Sequence, residues 1–458
     1  MYIKNIKLTN YRNFECLNGE DGFSLGKNAT ILIGKNGVGK TNILDAMKQA
    51  LSFIFRREKG TPQYEFLNSL DKRIRIKSFL PTDPRYYITP NGLDFHYPVD
   101  IETTMSMSPV DVKEDNVPDI IHWHMHKENA SKGIDESYAS ASSAFWSHYP
   151  NFKGLPVIAF YSAAFPHVTA QMGKNIQKIL DFGNELPQNH GYYKWDDIMD
   201  CNPIWREYLS IKWWNNLIAP TEDNQNYVDA ICKCLVNFSR PLPVDENLEN
   251  KDIELEELTM KKLTKTDFKI VFDFKNGRQM TFDSLPDGYN RIFSIVFDIA
   301  NRSYILNHHC NPEGIVFIDE IETHLHPSLA QEVMDRLLRA FPKLQFIIST
   351  HSPLVLSNFR QDVDHVVYQL TCDEHGQTKI SKPLNSYGVD YNSMLADEME
   401  TPIRNSLLQE LRDAYYYWKR EKDEVKMEKV LQKIINRVGE DSSIVKSLRE
   451  DKIGYGVH

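Results

Sequence analysis

The chain contains the phosphate-binding motif G-x-x-x-x-G-K-[ST] as Gly34-Lys35-Asn36-Gly37-Val38-Gly39-Lys40-Thr41. The glycines allow backbone N–H groups of the loop to point inward at phosphate oxygens. Lys40 is predicted to reach the β- and γ-phosphates, and the hydroxyl of Thr41 is predicted to bind Mg²⁺. The start of the next helix, around Asn42, would add the positive end of its dipole. This stretch therefore predicts a site for ATP with Mg²⁺.

The elements that such a loop requires are also predicted on both sides of it. Residues 29–33 (ATILI) form an apolar run typical of a short buried strand. After the loop, apolar residues recur at helical spacing, at Ile43, Ala46, Met47, Ala50, Leu51 and Ile54. A strand, a glycine loop and a helix in this order are the context in which the motif binds phosphate. A glycine turn that matched the motif by chance would lack the strand before it and the helix after it.

Two further apolar runs end in polar residues. Residues 314–318 (GIVFI) are apolar on both faces, as in a central parallel strand, and Asp319 and Glu320 follow them directly. Residues 344–348 (LQFII) are followed by STHSP at 349–353. The carboxyl ends of parallel strands lie along the sheet edge at which ligands bind. We therefore expect these polar residues to lie beside the phosphate loop.

Each of these polar residues has a role in a possible ATP hydrolysis site. Asp319 is predicted to hold the Mg²⁺ shell, normally through a water, and Glu320 to orient or deprotonate the attacking water. His351, at the tip of the next strand, is predicted to hydrogen-bond the γ-phosphate. Strand-end capping would also explain a carboxylate pair. It would not explain the pair together with a phosphate loop and a strand-tip histidine.

Composition limits the class of protein. Hydrophobic residues make up 41% of the 458 residues and charged residues 25%, as in soluble globular proteins. No apolar run approaches the ~20 residues that cross a bilayer. The first residues alternate like a strand and lack a signal-peptide core, so we expect a cytoplasmic protein without membrane contact. The six cysteines are scattered and are expected to be reduced. A net charge of −10 argues against a surface that is basic throughout, but allows a local basic groove.

The order of the elements predicts an α/β fold with a mixed sheet. Its head would be interrupted by an inserted, mostly helical subdomain and followed by a C-terminal helical extension. We predict five segments: 1–56, the N-terminal part of the head; 57–150, an insertion of mixed or irregular structure; 151–250, a sheet strand plus a mostly helical subdomain; 251–384, the C-terminal part of the head; and 385–458, the helical extension.

Some residues near the N-terminus have two interpretations. Arg12 lies in a turn-like NYRNF segment. In this type of fold that edge can lie near the adenine, and an exposed loop arginine is the equal alternative. Arginine and lysine in the stretch 71–77 (DKRIRIK) alternate with isoleucine, as on a short strand with one apolar face. A solvated strand face is favoured there, and contact with nucleic-acid phosphates is the alternative.

Other segments also leave alternatives open. His122, His124 and His126 would share one face of a strand, which favours a polar face over a metal site, since no cysteine or carboxylate completes an evident set. Residues 165–250 are tryptophan-rich and mainly helical, and we predict a subdomain with its own aromatic core or, alternatively, a docking surface. The helices predicted at 407–419, 425–438 and 446–452 form either a solvated cap or a docking tail.

The motifs IGKNGVGKTN, FIDEIETHLHP and IISTHSP are similar to those of the ABC-type ATPases related to RecF, SMC and OLD proteins. The resemblance implies a homo-oligomer, a dimer or dimer-based assembly. In it, the LPDGYNR segment at 285–291 contacts the γ-phosphate held by the other copy. That group usually has serine where this chain has Pro286, which removes a hydroxyl contact. The resemblance leaves the contact to the Gly288 backbone N–H, the helix dipole and Asn290 or Arg291. The loss of this hydroxyl is expected to affect efficient ATP hydrolysis more than ATP binding.

Within that group, the chain resembles the ATPase subunit of Septu antiphage defence systems. The resemblance rests on the LPDG variant, on SYGVDYNSML at 386–395 and on the helical tail, about the last quarter of the chain plus one helix. It implies a partner nuclease of the HNH type, which would cleave DNA, while this subunit meets DNA through the complex. No nuclease centre is expected in the chain itself.

Three rival functions share the ATP motifs. A RecF- or SMC-like DNA-repair ATPase would have all of them. An OLD-like ATPase with a fused nuclease would need a D-x-D after an apolar strand. Asp362-Val363-Asp364 instead precedes the apolar run HVVYQL, and only about a hundred residues follow His351. A transport ATPase would normally keep the serine replaced by Pro286 and gives no reason for the charged tail.

Overall fold

The computed structural model describes residues 1–17, 22–68, 70, 74–107, 118–134, 138–166, 185–196, 201–241, 253–262, 268–373, 376–382, 406–440 and 442–449. The chain divides into two compact units, Met1–Val389 and Asp390–His458. We refer to them as the head and the tail unit. The stretch 386–395, on which part of the resemblance rests, lies outside the described residues.

The strands of the described part are β1 (Tyr2–Tyr11), β2 (Phe14–Cys16), β3 (Phe23–Ser24), β4 (Ala29–Gly34), β5 (Tyr86–Thr89), β6 (Gly92–Phe95), β7 (Val99–Ser106), β8 (Ile120–Lys127), β9 (Val157–Tyr161), β10 (Leu255–Lys262), β11 (Phe268–Phe274), β12 (Gln279–Thr281), β13 (Gly314–Ile318), β14 (Leu344–Thr350), β15 (His365–Cys372) and β16 (Thr378–Ser381). The helices are α1 (Lys40–Leu51), α2 (Pro62–Asn68), α3 (Tyr138–Ser147), α4 (Asn202–Ile218), α5 (Glu222–Ser239), α6 (Asp287–Asn307), α7 (Pro327–Ala340), α8 (Leu354–Ser357), α9 (Ser406–Arg420), α10 (Glu424–Val438) and α11 (Ser443–Arg449).

A six-stranded sheet forms the centre of the head, in the order β16-β15-β4-β14-β13-β9. Its neighbours are parallel except β15 and β16. Every residue of β4, β13 and β14 is buried, as expected for strands covered on both faces. The parallel strands predicted at 29–33, 314–318 and 344–348 are therefore confirmed. With the helices around it, this sheet gives the predicted α/β fold of a P-loop ATPase head.

Two long helices cover this sheet. The apolar face of α1 is buried at the positions that helical spacing predicted, among them Ile43, Met47 and Ala50. Helix α6 is buried along most of its length, including the run from Arg291 to Ser303. This buried run includes polar and charged residues, which hydrogen-bond inside the head: Asp298 of α6, for example, accepts from Arg302 Nε at 2.6 Å. Both helices begin at the sheet edge that carries the predicted site.

A second, antiparallel sheet contains β2, β1, β7 and β8, with β3 paired to β1. Ile121, Trp123 and Met125 of β8 point into the core, so His122, His124 and His126 form its outer face. His122 Nδ1 lies 2.8 Å from Thr104 Oγ1, and His126 Nδ1 lies 3.5 Å from Asp100. Within the described ranges, no three or more His, Cys, Asp or Glu side chains are grouped to hold a metal ion.

The strand predicted within 71–77 is wrong for its described part. Residues 74–77 form bends and irregular backbone, and 71–73 lie outside the described residues. The backbone N–H of Lys77 donates to Ser52 Oγ at 2.8 Å instead of to a neighbouring strand, and the Lys77 ammonium pairs with Asp196. Ile74 is buried and Arg75 exposed, so the alternation reflects an anchored loop.

The described aromatic side chains of the segment 165–250 pack both between its own helices and against the rest of the head, so a subdomain with its own core stays a prediction. Tyr208 of α4 and Tyr227 of α5 have ring centroids 5.1 Å apart. Trp195 stacks on Phe55, with ring centroids 5.2 Å apart, and Trp205 Nε1 donates to Asp298 of α6 at 2.6 Å. Both rings are about 1% exposed. These two tryptophans are thus part of the main core of the head.

The tail unit consists of α9, α10 and α11 around its own small core. This core contains Tyr415, Val430, Leu431, Ile434, Val445 and Leu448. The helices predicted at 407–419 and 425–438 are confirmed, and the third spans Ser443–Arg449. Helix α10 is capped at its start by the Asp423 side chain, which accepts from Lys426 N–H at 3.0 Å. Across the described parts of both units, no helix combines the length and apolar character needed to cross a membrane.

Candidate active site

The phosphate loop connects β4 to α1, and two of its glycines have backbone angles that other residues rarely adopt. Gly37 has φ +87° and Gly39 has φ +102°. A Cβ on Gly39 would lie 2.5 Å from Asn13 Nδ2 and 2.8 Å from Phe14 Cζ. Gly39 must therefore be glycine for both conformational and steric reasons. Asn36 and Gly37 are exposed at the loop tip, where a ligand can approach the backbone.

The Lys40 side chain folds back against its own loop. Its Nζ donates to Gly34 O at 2.6 Å and to Lys35 O at 3.0 Å, and the residue is 6% exposed. Burial lowers the pKa of Lys40, and the charges of Glu322, Glu320 and Asp319 oppose this effect. A cation held in a dry loop in this way is suited to binding phosphate oxygens, since their charge compensates for its burial.

Thr41 and Asp319 meet although they are 278 residues apart. Thr41 Oγ1 lies 3.1 Å from Asp319 Oδ1 and 3.0 Å from Oδ2, and the Ser349 hydroxyl also donates to this carboxylate. Burial raises the pKa of Asp319, and the hydrogen bonds from Ser349 and Thr41 oppose this effect. Hydroxyl and carboxylate oxygens are the hard ligands that Mg²⁺ prefers, so this pair fits the predicted metal.

Glu320 occupies the turn after β13 in a left-handed conformation, with φ +49°. That conformation is strained for a residue other than glycine and is common at functional sites. Its backbone N–H donates to Ser349 Oγ at 2.9 Å, so Ser349 holds Glu320 as well as Asp319. The Glu320 side chain is half-buried at the sheet edge. Sequence reasoning did not single out Ser349, which comes directly before Thr350 and His351.

His351 is fixed by a residue that sequence reasoning also missed. Glu322 Oε1 accepts from the His351 backbone N–H at 2.6 Å and lies 2.9 Å from His351 Nδ1. Glu322 is 9% exposed, whereas the His351 side chain is 43% exposed. The available signal was the third acidic residue in Asp319-Glu320-Ile321-Glu322, two positions after Glu320.

Arg12 is an element of the loop's support and not an isolated exposed arginine. Its Nη1 donates to Asn42 Oδ1 at 2.9 Å and to Asp45 Oδ2 at 2.8 Å, and its Nε donates to Asp83 Oδ1 at 3.0 Å. The exposed-loop alternative is therefore wrong. The contact with adenine stays a prediction, and Arg12 lies beside the first turn of α1, where such a contact would form.

A further pair of residues outside the motif supports the phosphate loop. Asn13 Nδ2 donates to Val38 O at 3.1 Å, and Thr378 Oγ1 donates to the same carbonyl at 2.9 Å. Asn42 Nδ2 in turn donates to Asn13 Oδ1 at 2.7 Å. The loop is thus tied to β16 and to the turn between β1 and β2. Sequence reasoning noted Asn13 without this role and did not find Thr378.

The predicted trans-acting residues lie at the start of α6. Pro286 precedes the helix and is exposed, and Gly288 is buried in its first turn. A Cβ on Gly288 would lie 2.3 Å from His324 O, so glycine allows α6 to approach the loop after β13. The exposed start of α6 thus packs directly against the loop after β13, which carries Glu320.

The prediction that Arg291 contacts the phosphate of a second copy conflicts with its position. Arg291 is 1% exposed, and its Nη2 donates to Asp319 O at 2.9 Å and to Glu320 O at 3.2 Å. Its Nη1 donates to three carbonyls after β9, those of Ser162, Ala163 and Phe165. Burial lowers the pKa of Arg291 to about 10. Arg291 is therefore a structural clamp between three elements of its own head.

Two ATPase families match separate parts of the chain. The family "AAA ATPase domain" matches residues 1–150, and the family "AAA domain, putative AbiEii toxin, Type IV TA system" matches residues 233–357. These ranges contain the phosphate loop and the Asp319-Glu320 and His351 strand ends. Over these two ranges the chain is similar to AAA-type ATPase domains.

The similar proteins include retron ATPases and Septu proteins. The chain is 25% identical to the Retron Vc95 probable ATPase of Vibrio cholerae serotype O1 biovar El Tor, over 88% of this chain and 80% of that protein. It is 34% identical to the Septu protein PtuA of Bacillus mycoides, over 34% of this chain and 23% of that protein. An SMC head domain from Thermotoga maritima aligns over 84% of this chain and all of that one, with 12% identity and a TM-score of 0.40.

Proposed function

We propose that the protein is the ATP-hydrolysing subunit of a bacterial antiphage defence complex, in which it dimerises around ATP and regulates a partner HNH nuclease. The observation that supports ATP chemistry best is the contact of Thr41 with Asp319 at 3.0 Å, beside the buried Lys40. This contact joins the phosphate loop to Asp319, at the end of β13.

In the proposed reaction, the loop backbone from Gly37 to Gly39 and the Lys40 ammonium bind and orient the phosphates. Thr41 and Asp319 would hold Mg²⁺, which neutralises charge on the phosphate oxygens. Glu320 accepts a proton from water as the water oxygen bonds to the γ-phosphorus. The bond from that phosphorus to the bridging oxygen breaks, and ADP leaves with that electron pair.

Two copies would close over shared ATP molecules. The start of α6 presents Pro286 at the surface, with the Gly288 N–H one turn inside. An approaching phosphate would meet the positive end of the α6 dipole. The missing serine hydroxyl at position 286 supports slow ATP hydrolysis. The closed dimer then persists, and a partner protein can recognise its geometry.

The HNH nuclease partner is proposed from the similarity to PtuA and from the tail unit. That unit adds three helices with their own core, which is more than an ATPase head needs for nucleotide binding. DNA cleavage would then take place on the partner nuclease, and this chain would control it through ATP-dependent geometry.

A retron-type complex is a second candidate, favoured by one observation. The alignment with the Vc95 retron ATPase extends over 88% of this chain, against 34% for PtuA of B. mycoides. In that case the ATPase would work with the other components of a retron and not with a Septu nuclease.

Affinity purification of the tagged chain from a cell carrying its neighbouring genes distinguishes these candidates. Recovery of a small HNH protein supports the Septu-type complex, and recovery of a reverse transcriptase supports the retron type. Recovery of a membrane permease would contradict both. In parallel, Glu320→Gln should bind ATP and fail to turn it over, whereas undiminished turnover would remove Glu320 from the mechanism. The purified chain alone should not cut DNA.

A further inference from the structure

The short strands β5 and β6 form a hairpin that pairs with no other strand among the described residues. Its register places Tyr86 opposite Phe95 and Ile88 opposite Leu93. Residues directly opposite each other in an antiparallel pair share a face of the sheet, and so do residues two apart along one strand. These four side chains therefore lie on one side of the hairpin, which we call the apolar face.

The apolar face is left uncovered by the described part of the chain. Its four residues are between 39% and 84% exposed, and Ile88 is the most exposed of them. The opposite face carries Tyr87, Thr89 and Asp94. An antiparallel sheet normally packs its apolar face on a core and turns its polar face to water, and a hairpin of two strands is marginally stable by itself. A continuous exposed apolar face of this kind is typical of a protein contact site.

The base of the hairpin is attached to the residues that support the phosphate loop. The Arg85 backbone N–H donates to Asn10 O at 2.9 Å, and Arg85 Nη1 donates to Glu15 Oε2 at 2.8 Å. Gln377 Nε2 donates to the same Glu15 oxygen at 3.0 Å, next to Thr378, which holds the loop. The hairpin therefore begins at the edge of the head where β1, β2 and β16 meet the phosphate loop.

A buried carboxylate also connects the base of the hairpin to α1. Asp83 is fully buried, and its Oδ1 accepts from Arg12 Nε at 3.0 Å. Its Oδ2 accepts from Gln49 Nε2 at 2.8 Å and from the Leu80 backbone N–H at 2.7 Å. Arg12 in turn donates to Asn42 in the first turn of α1. The hairpin is thus fixed relative to the helix that follows the phosphate loop, beside the place where the proposed closure brings a second copy.

Charge favours a second copy as the molecule that covers the apolar face. The chain has a net charge of −10, so two copies repel each other unless they meet through surfaces with few charges. Between Tyr86 and Phe95 the only charged residue is Asp94, and it lies on the opposite face. In a two-fold dimer each copy contributes the same surface, so one closure buries the apolar face of both copies.

We propose that the apolar face of the β5–β6 hairpin packs against a second copy of this chain when two heads close over ATP. This inference rests on the proposed dimerisation around ATP and adds a contact outside the shared nucleotide sites. The start of α6 supplies the contact with the phosphate, and the hairpin supplies apolar burial. Because Asp83 fixes the hairpin relative to α1, the closure that covers the nucleotide also covers the apolar face.

Sedimentation velocity with ATP and Mg²⁺, in the Glu320→Gln background, tests this contact. Ile88→Asp places a charge on the apolar face and should raise the Kd of the dimer about tenfold or more. Thr89→Asp places the same charge on the opposite face of the same hairpin and is the matched control. It should change the Kd of the dimer less than about threefold. Binding of a fluorescent ATP analogue by the monomer should stay within about threefold in both variants, since Arg12 and Asp83 are unchanged.

Crosslinking identifies what covers the apolar face. A photoreactive phenylalanine analogue at position 88 of the purified Glu320→Gln protein should join two copies with ATP and Mg²⁺, and should not do so without them. The same analogue at position 363 is the control, because Val363 is 89% exposed in the loop before β15. Crosslinks from position 88 within one chain only, or equal dimer crosslinking from position 363, would overturn the proposal. In cells, a crosslink from position 88 to a different protein and none to a second copy would also overturn it.

The two proposals fail in different ways. If Glu320→Gln does not associate with ATP, the proposed dimerisation fails and the hairpin contact fails with it. If Glu320→Gln associates and the addition of Ile88→Asp leaves the Kd of the dimer within about threefold, the hairpin contact alone is overturned. Circular dichroism of Ile88→Asp checks that the head remains folded, which is expected for a substitution at so exposed a position.

Discussion

Replacing Ser349 by alanine should remove the link between the Asp319 carboxylate and the Glu320 backbone. The Ser349 side chain is fully buried between them, donating to Asp319 Oδ1 and accepting from the Glu320 backbone N–H at 2.9 Å. A hydrogen bond to a charged group contributes about 1.5–3 kcal/mol, and one between neutral groups about 0.5–1.5 kcal/mol. Water cannot readily replace the hydroxyl at a fully buried position. We therefore expect Ser349→Ala to destabilise the head by about 2–4 kcal/mol.

The assay for this prediction is urea unfolding followed by tryptophan fluorescence, together with ATP turnover. Ser357→Ala is the control, because Ser357 Oγ makes a single hydrogen bond to Leu354 O at 2.8 Å. Its loss should cost less than about 1.5 kcal/mol. Turnover should fall in Ser349→Ala, since Glu320 loses the acceptor that holds its strained turn. If Ser349→Ala is no less stable than Ser357→Ala and hydrolyses ATP normally, the hydroxyl does not organise this site.

Three other substitutions test separate parts of the account. Because burial raises the pKa of Asp319, the native state holds that proton more tightly than the unfolded state, and stability falls as pH rises from the ordinary aspartate value toward the raised one. Asp319→Asn should therefore gain stability relative to wild type across that window in unfolding measured at several pH values, while losing Mg²⁺-dependent ATP binding. Arg291→Lys should lower stability by about 2–5 kcal/mol in denaturant unfolding, because a single ammonium cannot reach all the carbonyls that the guanidinium joins. Unchanged stability would contradict the structural role of Arg291. Thr378→Val should raise the Kd for ATP about fivefold in equilibrium titration, since one hydrogen bond to Val38 O is lost, and an unchanged Kd would show that β16 does not support the loop.

The parts of the site that could be predicted from the sequence are those whose residues lie in short continuous stretches of the chain. The phosphate loop needs neighbouring glycines, and the acidic strand end needs an apolar run directly before it. Both features survive as local patterns, and Thr41 and Asp319, which they identify, are in contact in the structure. The same holds for the strands and helices that carry them, whose periodicity is strong.

The parts that could not be predicted depend on contacts between distant segments. Thr378 reaches Val38 across 340 residues, and Ser349 and Glu322 act on residues of a neighbouring strand end. No spacing rule links such pairs, because the contact exists only once the sheet is formed. Arg291 shows the opposite error. A charged residue near a functional motif is expected at a ligand, yet the carbonyls of two chain segments, after β9 and after β13, bind it inside the head.

The strand pairing of the region after the first helix was not predicted from the sequence. The predicted segment 57–150 contains β7 and β8, which pair with β1 in a single sheet. Lys7 lies opposite Glu102, and Glu102 opposite His124. Each of these strands alternates on its own, but nothing in that alternation tells which strand, more than ninety residues away, is its antiparallel partner. The sequence pattern identified that an outer polar face existed, but not which strand it lay beside.

The central claim is that two copies close over ATP through the exposed start of α6. Sedimentation velocity of Glu320→Gln with and without ATP and Mg²⁺ tests it most directly. Adding Pro286→Glu places a negative charge where the neighbour's terminal phosphate would approach, and Pro220→Glu, in the exposed loop between α4 and α5, is the matched control. The account predicts ATP-dependent association for Glu320→Gln alone and with Pro220→Glu, and its loss with Pro286→Glu although ATP is still bound. Association that is independent of ATP, or that persists with Pro286→Glu, would contradict it.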